Sequence, residues 1–155
     1  MRILVDGDAC PVKEDIVAIA QERDLDVIFI VSTASYFNRD WKVKQIIVDS
    51  FPQAVDIAIV NRVEAGDVVV TQDYGLAALV LGKKGKAISP RGYFFNDDNI
   101  DRLLQKRHIH HEARKAGVRV KGPKKQSAKD KKRFHRNFRR LLDECLNNKS
   151  KRCNE

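Results

Sequence analysis

The sequence predicts a three-layer α/β fold, with a central parallel sheet, helices on both faces and a basic helical extension at the C-terminus. Two observations carry this reading. Between residues 3 and 89, runs of Val and Ile alternate with stretches whose apolar residues recur at helical spacing. Near-continuous apolar strands are what a parallel sheet covered on both faces requires, and right-handed crossovers then join them. The second observation is the placing of charge. Residues 1–100 hold 11 Lys and Arg against 15 Asp and Glu, while residues 101–155 hold 19 against 6. An acidic body of net −4 therefore carries a basic extension of net +13, a polarity that favours a polyanionic partner.

Each element has its own signal. Ile3, Leu4 and Val5 form a short buried strand that runs into Asp6-Gly7-Asp8, a turn. Pro11 suits a first helical position, where its missing N–H costs nothing, and Ile16, Ile19 and Ala20 share one face of a helix over 11–23. DVIFIVS (26–32) and VKQIIVDS (43–50) are β-rich apolar runs. The stretch 51–66 opens on Pro52 and closes at Gly66, as a helix does. DVVVTQD (67–73) is a strand, 74–85 a short helix and KAIS (86–89) the last strand.

The character then changes. Asn96 caps a helix containing Ile100, Leu103, Leu104 and Ile109, and 115–126 is a basic Gly/Pro loop. Ser127 and Asp130 make a capping box for a final helix that buries Phe134, Phe138, Leu141, Leu142 and Cys145 as one stripe. The expected division is an α/β core over 1–95, a helical extension packed on it over 96–147, and a disordered tail over 148–155.

A chain of 155 residues, 43% hydrophobic and 33% charged, is long enough for one domain with a real core. No apolar run approaches the ~20 residues that span a bilayer, and the apolar part of MRILVDGDAC is too short for a signal peptide. A cytoplasmic location without membrane contact is the expectation. Three cysteines without a C-x-x-C pair argue against a disulfide framework or a structural zinc site. Cys10, near a helix start, is either a reactive thiol or a small packed residue, and the packed reading is preferred.

In an open parallel sheet, ligands bind beyond the carboxyl ends of the strands. Asp6 and Asp8 end one strand and Asp73 another; at strand ends beside helix starts they serve as capping groups or as a cation site. Asp56 stands alone in the apolar stretch AVDIAIV, where a carboxylate is costly unless paired or metal-bound. Convergent carboxylates repel, a divalent cation relieves them, and oxygen-only ligands favour Mg²⁺ or Mn²⁺ over zinc.

DIAIVNRVEAGDVVVTQDYGLA (56–77) resembles the second half of a PIN-type nuclease domain, in which an aspartate opening a helix precedes a strand ending in T-x-D. With DGDACPVK, SPRG, Asn99-Ile100 and a late GP…F…LD, the chain from Asp6 to about Leu146 resembles the bacterial YaiI/YqxD family, a PIN-like group. The resemblance implies metal ligation by Asp6, Asp56 and Asp73, with Thr71 as a supporting hydroxyl and Asp8 as a further family carboxylate. It also implies catalysis by Asp6, Asp56 and Asp73 with Mg²⁺ or Mn²⁺, as phosphodiester hydrolysis. One departure is visible: PIN nucleases place another acidic residue on an intervening helix, whereas the nearest candidate here, Asp49, lies at a strand end.

Lys13 is a catalytic candidate that would hold a phosphate oxygen, or else a solvated lysine. Lys124, Lys125, Lys131, Lys132, Arg133, Arg136, Arg139 and Arg140 are the nucleic-acid-binding candidates, with single-stranded RNA favoured over DNA. Tyr36, Phe37 and Trp41 either stack on bases or pack under a loop. His108, His111 and Glu112 lack an evident fourth ligand and read as solvated or phosphate-facing. Two alternatives to a nuclease stand: a nucleic-acid-binding protein with a vestigial site, and a haloacid-dehalogenase-like phosphatase. The phosphatase would use DGD, VVVT, Lys83 or Lys84, and Asp97-Asp98, although those last two also suit a helix N-terminus.

Overall fold

Strand Ile3–Asp6 (β1) lies at the centre of the sheet, pairing in parallel with Val27–Ser32 (β2) on one side and Val68–Val70 (β4) on the other. Apart from the half-buried Asp6, every residue of these three strands is buried, which is why their sequences are unbroken runs of apolar residues. The computed structural model describes residues 1–120 and 125–154. Its other elements are α1 (Lys13–Gln21), β3 (Lys44–Val48), α2 (Ala54–Arg62), α3 (Tyr74–Gly82), β5 (Lys86–Ile88), β6 (Phe94–Phe95), α4 (Asp97–Lys115) and α5 (Ala128–Cys153). The sheet order is β3-β2-β1-β4-β5-β6, with every pairing parallel except β5 with β6.

Successive residues of a strand face opposite sides, so the sheet serves two cores. Ile3, Val5, Phe29 and Val31 pack with Ile16 and Ile19 of α1 and with Phe134, Phe138 and Leu142 of α5. Leu4, Ile30 and Val69 face the other way, against Val55 and Ile59 of α2, Leu76 and Val80 of α3, and Ile100 of α4. The three-layer arrangement is therefore as expected.

Three details differ from the sequence reading. Helix α1 begins at Lys13, with Val12 at its N-cap and Pro11 in the preceding turn. An antiparallel edge strand, β6, was not anticipated. It forms because the chain reverses through Gly92, at φ +88°, and Ser89 N–H then bonds the Tyr93 carbonyl. The tail over 148–155 is not a separate segment: α5 continues through Cys153, since no glycine or proline interrupts it and Lys151 and Arg152 oppose its negative end. Phe134 and Phe138 are fully buried and stacked 5.0 Å apart, making α5 a wall of the core. Both expected caps are present, since Asn96 with Asn99 and Ser127 with Asp130 form reciprocal capping boxes. Among the described residues, no helix is long and apolar enough to cross a membrane.

Candidate functional site

The strand order reverses between β1 and β4, because the chain winds outward from β1 through β2 to β3 and then returns to the other side. Such a switch point leaves a crevice at the carboxyl ends of the two strands. Asp6 is the last residue of β1, and Thr71 and Asp73 directly follow β4. The Thr71 hydroxyl joins them: it donates to Asp6 Oδ2 at 3.0 Å and accepts from the Asp73 backbone N–H at 3.0 Å. Asp56 lies in the first turn of α2, which leaves the same edge of the sheet, and the helix dipole there favours an anion.

These carboxylates feel one another. Burial pushes the Asp6 carboxyl up to about 6; the Thr71 hydrogen bond opposes the rise, and the charges of Asp56, Asp8 and Asp73 add to it. Asp56 is also raised, by burial and then by Asp73, with Arg107 pulling the other way. Asp73 has two further partners. Its Oδ1 accepts the Leu76 N–H at 3.0 Å, capping α3, and lies 3.2 Å from Arg107 Nη1 of α4. A Cβ on Gly75 would sit 3.2 Å from both atoms of that ion pair, so the glycine leaves room for it. Gly7 does the same for the turn after β1, where a Cβ would come within 2.3 Å of Val31 Cγ1.

The remaining candidates are placed differently. Asp8 Oδ1 accepts the Ser32 N–H at 2.9 Å, which ties the β1 turn to the end of β2. The Lys13 ammonium donates to the Cys10 carbonyl at 3.1 Å and lies over the Phe37 ring. Asp49 is exposed beyond the edge strand β3. Cys10 is buried in the core and its thiol is pushed up to about 11 by desolvation, which makes it the packed residue rather than a nucleophile. Phe37 and Trp41 pack with Phe29 under their loop, leaving only Tyr36 exposed.

The phosphatase pattern does not assemble. Asp97 and Asp98 occupy the first turn of α4, and Lys83 and Lys84 follow α3 at the opposite edge of the sheet, where the Lys84 carbonyl meets Gly66 at the start of β4. Among the described residues, no three His, Cys, Asp or Glu side chains stand close enough to hold a metal ion together; this applies to Asp6, Asp56 and Asp73 as it does to His108, His111 and Glu112.

Of the six basic candidates on α5, four make ion pairs. Arg139 pairs with Glu22, Arg140 with Glu144 and Lys131 with Asp15. Arg133 pairs with Asp130 and donates to the Arg91 carbonyl and the Tyr93 hydroxyl. Lys125, Lys132 and Arg136 are exposed and make no ion pair among the described residues; Lys124 lies outside those residues. Sequence reasoning missed a second basic surface. Asp73 is among the residues lining a cleft of about 930 Å³ with α4 as one wall. Its signal was legible as Arg102, Lys106, His110 and Arg114, four residues apart, within a helix read for its apolar positions and for His108, His111 and Glu112.

A sequence profile described as the uncharacterized BCR, YaiI/YqxD family matches residues 4–144. A UPF0178 protein of Alkaliphilus metalliredigens is 44% identical over 151 residues, covering 97% of this chain and 97% of that protein. A UPF0178 protein of Clostridium kluyveri is 46% identical over 142 residues, covering 92% of this chain and 93% of that protein. Among solved structures, Rae1 (YacP) from Bacillus subtilis is similar with a TM-score of 0.44 and 15% identity, over 76% of this chain and 84% of that one.

Proposed function

The chain belongs to the YaiI/YqxD family, and from that premise we propose that it is a divalent-metal-dependent nuclease with a PIN-like site. The observation that carries the reading is the Asp6 carboxylate at the switch point, held by the Thr71 hydroxyl, which also takes the Asp73 backbone N–H, with Asp56 and Asp73 close enough to raise the Asp6 pKa. The donor set fits a hard cation. Mg²⁺ takes one or two carboxylates and completes its shell with waters and phosphate oxygens, so an open site suits it better than a closed cage would. Asp6, Asp56 and Asp73 would hold the ion, and Thr71 fixes the orientation of the Asp6 carboxylate.

When bound, the cation supplies an activated water and neutralises charge on the phosphoryl group. The protein's own part is to keep the carboxylates of Asp6, Asp56 and Asp73 within reach of one another's charge, with Arg107 beside Asp73 as a counter-charge that also suits a phosphate. The test is a cleavage screen on labelled single-stranded RNA and DNA in Mg²⁺ or Mn²⁺, with Asp6→Asn and Asp73→Asn as controls. Melting is followed in parallel. A cation that binds only the folded state stabilises it by about 2.7 kcal/mol at a hundred times its Kd, and both variants should lose that gain. No cleavage and no melting shift at millimolar metal would refute the reading. Nucleic-acid binding without cleavage would assign a binding protein with a vestigial site.

A further inference from the structure

Helix α4 packs Ile100 and Leu104 into the core beside α3, while Leu103 also borders the cleft that its basic side chains line. On that face Arg102, Lys106, His110 and Arg114 follow one another at four-residue intervals, about 6 Å per step and about 18 Å in all. Arg91 adds to the wall from the β5–β6 turn, and Arg107 stands where the cleft meets Asp73. A positive row therefore runs alongside the acidic crevice, with Arg107 between Lys106 and His110. Within the cleft lie aromatic rings. Tyr93 is 54% exposed, yet it is held in place: the Arg133 guanidinium stacks 4.2 Å from its ring centroid and donates to its hydroxyl at 2.7 Å. Tyr74 is braced edge-on by Phe95 at 5.8 Å.

We propose that this cleft is the track of one nucleic-acid strand, its phosphates on α4 and a base on Tyr93, running towards Asp73; the outer face of α5 is not the binding surface. Among the described residues, Lys131, Arg133, Arg139 and Arg140 of α5 are taken up by acidic partners, and no cleft or exposed aromatic ring accompanies Lys132 and Arg136. Arg102, Lys106 and Arg114, by contrast, make no ion pair among the described residues and line a cleft that holds Tyr93. A single strand fits because aromatic platforms need unstacked bases, which a duplex withholds. Arg107 is the point of hand-over. Its guanidinium is half-exposed and touches Asp73 through one nitrogen at 3.2 Å, so it can turn to a phosphate once a cation takes the carboxylate. This end of the track rests on the nuclease reading, while strand binding itself does not.

The test is fluorescence anisotropy of a labelled single-stranded oligonucleotide in EDTA, across a salt series, with the full chain. Reversing Arg102, Lys106 and Arg114 to Glu should weaken binding and flatten the plot of log K against log salt by about 2, since each phosphate contact of a single strand contributes about −0.7. Lys132→Glu with Arg136→Glu should bind like the wild type. Tyr93→Ala should lose roughly 5- to 140-fold, the 1–3 kcal/mol of one stacked base at 1.4 kcal/mol per tenfold, and Tyr93→Phe should retain it. A Gln series at 102, 106 and 114 keeps the test readable if the Glu series folds poorly, because it removes the same contacts without reversing charge.

Absence of wild-type binding would overturn the proposal, as would loss confined to the α5 variant or an unchanged salt slope in the α4 variants. Equal competition by a duplex of the same sequence would overturn the single-strand assignment. If the α4 variants cleave as fast as the wild type, the track falls and the nuclease reading stands. If the wild type binds through α4 but cleaves in neither metal, the track stands and the nuclease reading falls.

Discussion

Replacing Asp6 with asparagine should stabilise the metal-free protein at neutral pH and change little in acid. The carboxyl moves from an ordinary 3.8 to about 6, chiefly through burial at the end of β1. At 1.36 kcal/mol per pH unit, that gap is a cost of about 3 kcal/mol once the group is ionised in the folded state, and residual solvent screening lowers it to about 2–3. The sign follows from proton binding. Between about pH 4 and 6 the folded protein keeps a proton that the unfolded chain has released, so this group's contribution falls as pH rises through that window and is lost above it. Asparagine has no proton to lose, and its Oδ1 still accepts the Thr71 hydroxyl. Urea unfolding in EDTA at pH 7, 5 and 4 reads the difference directly. The variant should gain about 2–3 kcal/mol at pH 7, about half of that at pH 5, and less than about 1 at pH 4. A variant less stable than the wild type at pH 7, or a gain independent of pH across this range, would refute the assignment of Asp6 as a destabilised carboxylate.

Two predictions concern the scaffold. Phe138→Ala should cost about 3–5 kcal/mol in urea unfolding while leaving a single transition, because the ring is fully buried between α5 and the sheet. An effect under about 1 kcal/mol would show that α5 is not part of the core. Gly7→Ala should cost about 1–3 kcal/mol through the contact with Val31, and should blunt any metal-induced rise in melting temperature because the Asp6–Asp8 turn must move away from β2. Calorimetry with and without Mg²⁺ reads both effects, and an unchanged metal response would dissociate Gly7 from the site.

Much of this architecture was written in local pattern. Val68, Val69 and Val70 followed by Thr71 and Asp73 announce a buried strand with a polar end, and Asn96 and Ser127 announce helix starts that the structure contains. The carboxylates were legible for the same reason: Asp56 interrupts an apolar helix, and such an interruption is costly enough to need an explanation. Less was legible where charge was summed over a segment instead of followed along a helix. The net +13 after residue 100 drew attention to α5, yet Glu22 and Asp15 of α1 take up part of that charge.

The sequence by itself determined the alternation of strands and helices, the apolar faces and the identity of the strand-end carboxylates, because these depend on period and on neighbours a few residues away. Only the tertiary structure decided that β4 returns beside β1 to bring Thr71 onto Asp6, that Asp8 is drawn off to Ser32, and that Arg107 reaches Asp73 across 34 positions of chain. It also decided which basic helix borders the acidic crevice. Contacts between residues distant in sequence are set by sheet order and by which face of a helix the core claims, and no local period encodes either.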